Sequence, residues 1–384
     1  MVAIKRIKAS QKKSVRARPK RFPYSVNPAH QSAPFQRGYE DGYLRGRVNF
    51  IMNQVVEPFP VSPVHILYVS SGKGYPYSPL DEAIRGTLRD LVTTLHVAEP
   101  HEPITERAAL LKPDLVLVLD GMHFPLEEVD TIRNQGIRTA IWLTDDPYNT
   151  DMTLNIASHY DYVFTHELNC IELYQNHGCS EVHYLPFAAY LPQFHPNTFP
   201  TIHRRDISFI GSGYWNRVNY FNPILPQLMS HQTVFNGVWW DRLPDFAKYQ
   251  HKIELNRWMS PEETKDVYNG TKIVVNLHRS HEDDSVNNNS LNIPALSPNP
   301  RTFEISACAT LQLTDAREDL GRFYIPGVEI ETYETATEMM DKIEYYLSNE
   351  DKQREIALRG FERTWKEHSY HHRIHTLIQT IFGS

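Results

Sequence analysis

An α/β architecture of two doubly wound, Rossmann-like halves facing across a cleft, behind a basic N-terminal arm, is the fold class this sequence predicts. Three observations predict it. Short apolar runs alternate with amphipathic stretches from Val64 to Leu185, a proline-rich break follows from Phe187 to Pro200, and a second alternation starts at Asp206. The length of 384 residues fits two cores on the usual scale of roughly 150 residues per domain.

The elements follow in order. Up to about residue 36 the chain carries Lys5, Arg6, Lys8, Lys12, Lys13, Arg16, Arg18, Lys20 and Arg21 without one acid, which reads as a disordered basic arm. Through residues 5–21 it could make weak contact with an anionic surface; a solvated tail is the plainer reading, and no specific nucleic acid is expected. Gly38-Tyr39 and Gly42-Tyr43 repeat at a four-residue step, which places both tyrosines on one face of a docking or linker helix.

Val64 to Val69, Leu115 to Leu119, Thr139 to Leu143, Tyr162 to Thr165 and Val182 to Leu185 are short, mostly β-branched, aromatic or leucine-rich, as buried parallel strands require. Helices are expected at Leu80 to Leu91, where Leu80, Ile84, Leu88 and Leu91 keep the 3.6-residue repeat, and at Glu167 to His177. Beyond the break, Ile207 to Ile210, Lys272 to Leu277 and Leu311 to Leu313 read as strands. Pro261 to Tyr268, Pro300 to Ala309 and Ala336 to Leu347 read as helices, and two more amphipathic segments close the chain. The stretch His278 to Pro298 has no periodicity and reads as a long loop. The expected organisation is an arm and linker helix over 1–60, a first domain over 61–195 and a second over 196–384, with the last helix able to pack back on the first domain.

Composition narrows the function classes. The formal charge of -7 and a pI near 6.3 imply no bulk affinity for polyanions. Three cysteines, Cys170, Cys179 and Cys308, suit neither a disulfide framework nor a zinc site. No apolar run reaches transmembrane length and no apolar segment backs the basic start, so a cytoplasmic protein is expected. Gly-x-Ser-x-Gly, His-Glu-x-x-His and Cys-x-x-Cys are absent, which removes support for hydrolase and zinc-enzyme readings. Asp-x-Asp is absent too, and His281-Glu282-Asp283-Asp284 reads as a solvated loop, so no metal is expected.

The remaining motifs fall at predicted strand ends. Asn299 is a good N-cap and Pro300 suits the first helical position, so the helix start can meet an anion. Arg301 adds a fork of donors, and Glu304 offers the two acceptor oxygens a ribose diol needs; the plain alternative is an i,i+3 surface pair. Gly211-Ser212-Gly213 ends a strand and leads to Asn216 and Arg217, a setting in which backbone N–H groups and a guanidinium can face phosphate. With Asn at position 216 the dinucleotide fingerprint is broken. Gly72, Lys73 and Gly74 follow the first strand and could line the same cleft. Asp145-Asp146-Pro147 follows Leu143: a buried member of the pair could act as a base, Asp146 before Asp145, or the pair could be a helix-cap cluster. Asn276 and His278 end another strand.

Phe209 to Gly213 with Asn216 and Arg217, the strand into His278, Asn299-x-Arg301-x-Phe303-Glu304-x-x-Ala307-Cys308, Asp145-Asp146-Pro147 and Tyr370-x-x-Arg373 resemble the CgeB-like spore-protein glycosyltransferases. The resemblance covers residues 62 to 384 and implies a GT-B fold with the donor nucleotide on the second domain. It implies a nucleoside diphosphate sugar as co-substrate, a UDP-sugar first among them, no further cofactor, and an acceptor that is a glycan, protein or polymer. It also implies an association with the mother cell or spore coat. On the donor side it assigns Gly211, Ser212, Gly213, Asn216, Arg217, Asn276, His278, Asn299, Arg301, Thr302 and Glu304, with Glu304 on the ribose. There are two departures from the pattern: Ala309 and Thr310 follow Cys308 where a glycine is usual, and Leu296 stands where many retaining GT-B enzymes carry a second glutamate. A sugar-nucleotide epimerase and a non-catalytic nucleotide-sugar-binding assembly protein stay open as alternatives.

Overall fold

The computed structural model describes residues 33–54, 58–197 and 204–383. The basic arm through residue 21 and the end of the proline-rich break lie outside the described residues. The helix Ala33–Met52 carries the Gly-Tyr repeat, with Tyr39 and Tyr43 exposed. Residues from Arg47 onward form one compact unit.

That unit is built on two six-stranded parallel sheets. The first contains β1 (Ser62–Val69), β2 (Val92–Ala98), β3 (Leu115–Leu119), β4 (Arg138–Trp142), β5 (Tyr162–Thr165) and β6 (Glu181–Tyr184), in the order β2-β1-β3-β4-β5-β6. The second contains β7 (Arg205–Ile210), β8 (Thr233–Gly237), β9 (Ile253–Leu255), β10 (Thr271–Asn276), β11 (Leu311–Asp315) and β12 (Glu331–Tyr333), in the order β12-β11-β10-β7-β8-β9. Strand order reverses beside β1 in one sheet and between β7 and β10 in the other. At such switch points the loops leaving neighbouring strands diverge and open a crevice.

Alternation within β1 shows why both faces need cover. Ile66 and Tyr68 enter one buried cluster with Ile84 and Leu88, while Leu67 and Val69 enter another with Ile132 and Tyr174. β3 is buried along its whole length, as a central strand sandwiched by helices must be. In the second half Phe209, Phe221, Phe235 and Trp240 pack mostly edge to face at 4.9–5.9 Å. The helix Tyr370–Phe382 leaves the second half and buries Ile374, Leu377, Ile378 and Ile381 in the first half's core. Arg373 secures this crossing, its Nε donating to the carbonyls of Pro186 and Phe187 at 3.0 and 3.3 Å.

Sequence reading passes over four strands, β2, β8, β9 and β12. β2 is an edge strand whose middle is exposed or half-buried, so it never shows an apolar run. β9 and β12 are edge strands of three residues each, and β8 ends in Asn236-Gly237, residue types depleted from strands.

Candidate functional site

A cavity of about 330 Å³ opens between the carboxyl edges of the two sheets. The first half lines it with Tyr75 to Tyr77 after β1, Asp145 and Tyr148 after β4, and His166 and Glu167 after β5. The second half supplies Gly211, Ser212, Tyr214 and Arg217 after β7, Trp258 and Met259 after β9, His278 and Arg279 after β10, and Asn299, Arg301 and Glu304 at the helix Pro300–Ala307.

The start of that helix is built by three layers of hydrogen bonds. Asn299 caps it, its side chain accepting the Thr302 N–H at 3.1 Å, and Pro300 opens the first turn. Asn276 reaches Asn299, Thr302 and Gln312 at 2.9–3.2 Å. The Asn299 N–H donates to His278 Nε2 at 2.9 Å, and His278 Nδ1 lies 2.5 Å from Asp315. Burial lowers the His278 pKa, so the ring is neutral with Nδ1–H donating to Asp315. The two sequence-singled strand-end residues therefore frame the helix start.

The charges beside this frame lack ion-pair partners among the described residues. Arg217 is buried, its Nε on Leu277 O and its Nη1 on Ser212 O, both at 2.9 Å. Burial and then Arg301 push its pKa down to about 9, which leaves it charged at neutral pH. Among the described residues no carboxylate forms an ion pair with either guanidinium, and burying an unpaired cation is costly. Both flank Gly211: a Cβ there stands 3.0 Å from Arg217 Nη1 and 3.5 Å from Arg301 Nη2. A Cβ on Gly237 stands 2.2 Å from Gly211 O, so the two loops meet backbone to backbone. Glu304 lines the cavity without a hydrogen bond or ion pair to any described residue; burial lifts its pKa to about 7, against the pull of Arg301. The i,i+3 surface pair does not form.

The predicted residues divide into two groups. Gly211, Ser212, Arg217, His278, Asn299, Arg301 and Glu304 line the cavity. Gly213, Asn216, Asn276 and Thr302 do not: Asn216 ties to His278 O at 3.0 Å, and Gly213 N–H bonds Val238 O at 2.7 Å. Gly72, Lys73 and Gly74 stand behind the wall, Lys73 pairing with Asp120 at 2.8 Å and lying 4.3 Å above the ring of Tyr77, which takes their place.

Asp145 and Asp146 both line the cavity but are held differently. Asp146 is 1% exposed, and its carboxylate is taken up by Thr165 at 2.6 Å, Tyr174 at 2.7 Å and Thr153 at 3.4 Å. Burial raises its pKa to about 6 while those hydroxyls oppose the rise. Asp145 is the more open of the two and accepts from Tyr77 OH at 2.5 Å. Burial raises its pKa, and Lys73 and Arg279 moderate the rise.

Sequence reasoning missed Tyr77, Tyr148, His166, Glu167, Tyr214, Trp258 and Arg279. His166 and Glu167 directly follow β5, so the strand-end rule applied to every strand finds them. Burial lowers the His166 pKa to about 4, its ring bonds the backbone at Thr144, and Nε2 has no partner. The Arg279 guanidinium lies 4.7 and 4.8 Å from the rings of Tyr148 and Tyr214, and its Nε is also unpartnered. Glu167 spans the cleft, accepting the N–H groups of Leu296 and Ser297 at 3.1 Å. The unreadable stretch 278–298 is thereby fastened to the first half, with further bonds from the Thr150 hydroxyl to Asn289 Oδ1 and from Ser290 to Asp151. Among the described residues no group of three or more His, Cys, Asp or Glu side chains could hold a metal, and no helix is long and apolar enough to cross a membrane.

Two parallel, doubly wound halves with a cleft between their carboxyl edges define the GT-B fold, and residues 217–379 match the family model described as glycosyl transferase-like. The chain is similar to the spore protein CgeB of Bacillus subtilis, at 27% identity over 301 residues that span 78% of this chain and 93% of that protein. Among solved structures, sucrose-phosphate synthase of Thermosynechococcus elongatus superposes with a TM-score of 0.57 at 12% identity, covering 83% of this chain and 99% of that one. Anabaena HepE, solved with UDP and glucose, gives 0.57 at 11% identity over the same shares, and a Rickettsia africae glycosyltransferase gives 0.54 at 13%, over 83% and 98%. At these identities the structural likeness establishes the fold.

Proposed function

We propose that the protein is a glycosyltransferase that moves a sugar from a nucleoside diphosphate sugar to an acceptor hydroxyl. The observation that carries the reading is the pair of guanidinium groups, Arg217 and Arg301, flanking Gly211 at a helix start with no carboxylate partner among the described residues. A diphosphate supplies the missing negative charge. Glu304, one turn along, faces the same cavity as an unpartnered acceptor suited to a ribose diol. A uridine nucleotide is the favoured donor, in keeping with UDP in HepE.

As the bond between sugar and phosphate breaks, charge grows on the leaving diphosphate. Arg217, Arg301 and the positive end of the helix Pro300–Ala307 are already placed to stabilise it, without reorganisation. His166, neutral with a free Nε2, offers an acceptor to a sugar hydroxyl. In an inverting transfer Asp145 is the group placed to take the acceptor proton. The second half then holds the donor and the first half the group that activates the acceptor; the likeness to the spore protein CgeB supports a role at the spore coat or envelope.

Turnover of UDP-sugars by the purified protein tests this reading. Asp145→Asn is expected to lower transfer at least 100-fold with UDP binding unchanged, and Arg301→Ala to weaken UDP binding 10-fold or more. UDP binding without turnover on any sugar and acceptor supports the non-catalytic assembly reading instead, and conversion of the UDP-sugar without an acceptor supports an epimerase.

A further inference from the structure

Three of the six tryptophans are exposed, Trp215 at 44%, Trp239 at 36% and Trp258 at 47%, and they follow β7, β8 and β9 at the edge where the cavity opens. Tryptophan is among the residues most buried on average, so three exposed at one sheet edge need a reason. Trp215 and Trp239 form a shelf. The Arg242 guanidinium lies 4.9 Å from one ring and 4.7 Å from the other, and its Nη1 donates to Gly213 O at 3.3 Å.

The backbone accepts a cost to build this shelf. Trp239 has φ 67° and ψ 13°, the left-handed region that bulky residues avoid. That conformation leaves the Trp239 indole outside while the next residue, Trp240, enters the core and donates Nε1–H to Gly211 O at 2.8 Å. A Cβ on Gly213 stands 2.7 Å from Trp239 O, so the two loops close only over glycine. The shelf continues into the cleft through Tyr214, which lines the cavity and packs edge-on against Trp239 at 5.4 Å.

We propose that this shelf is a subsite for a carbohydrate chain, the acceptor, whose sugar rings lie on the Trp215 and Trp239 indoles while Arg242 donates to their hydroxyls. A pyranose has an apolar C–H face rimmed by hydroxyls, and two exposed indoles that share one fixed cationic donor match that pattern. A protein partner calls for a wider contiguous apolar patch than two rings separated by a guanidinium. The proposal deepens the transferase reading and rests on it: the acceptor is an oligosaccharide of at least two sugars.

Calorimetric titration of the full-length protein with chitohexaose, cellohexaose, maltohexaose and hexagalacturonate tests it, beside the UDP-induced rise in melting temperature. At least one hexasaccharide is expected to bind, and Trp215→Ala with Trp239→Ala to weaken that binding 10-fold or more while the UDP shift stays within error; Trp215→Phe with Trp239→Phe retains most of it. The shelf assignment is overturned if none of the four binds to protein that still responds to UDP, or if binding ignores the alanine pair. It is also overturned if light scattering shows a wild-type dimer that the alanine pair dissolves. Tryptophan-dependent glycan binding without any UDP response upholds the shelf and overturns the donor reading.

Discussion

Glu304 shows at the scale of one residue how a binding site costs stability. Its carboxyl pKa stands near 7 in the folded protein, above the ordinary 4.5, because burial disfavours the charged form. The folded state thus holds the proton more tightly, and stability falls as pH rises from about 4.5 to about 7, by up to about 3 kcal/mol. Glu304→Gln is therefore expected to raise the melting temperature of the unliganded protein by several degrees at pH 8 and hardly at all at pH 5, while weakening UDP binding at pH 8. An equal effect at both pH values contradicts this account of Glu304. Asp146 teaches the converse: the carboxylate next to Asp145 is committed to Thr165 and Tyr174, and nothing in Asp-Asp-Pro tells which carboxylate turns inward.

Among the elements, the stretch 278–298 changes most between sequence and structure. It has no periodicity to read, because its order comes from partners far along the chain. Leu296 stands where the family resemblance expects a second glutamate, and its N–H is held by Glu167, 129 residues earlier, from the opposite half. Three residues on, Asn299 caps the donor helix, so Glu167 positions that helix start through the backbone. Glu167→Ala leaves buried N–H groups unpaired at about 1–3 kcal/mol of local stability. Hydrogen exchange over residues 288–299 is expected to quicken about 10-fold or more, with β10 still protected. Unchanged exchange there means that the stretch is held by its other bonds alone.

At the scale of the whole molecule, the two strand–helix alternations were legible because parallel strands buried on both faces carry apolar runs, as β3 does over its whole length and β10 over Ile273, Val274 and Val275. Of the edge strands β2, β9 and β12 were not, because β2 is half exposed and the other two are three residues long. The destination of the last helix was only partly legible: the stripe Ile374, Leu377, Ile378 and Ile381 announces burial but carries no address. Half of the site was legible for a similar reason. Gly211, Arg217, Arg301 and Glu304 sit beside capping and glycine signals, whereas Tyr77, His166 and Arg279 acquire meaning only when two sheets bring their loops to one cavity. The central claim is that this cavity binds a nucleoside diphosphate through the unpaired guanidinium groups, and titration calorimetry of UDP against wild-type protein, Arg217→Met and Arg301→Met tests it most directly. The account predicts saturable binding by the wild type, at least 10-fold weaker binding by each variant, and weakening with added salt. Absence of binding by UDP, GDP, ADP and dTDP, or equal affinities in all three proteins, contradicts it.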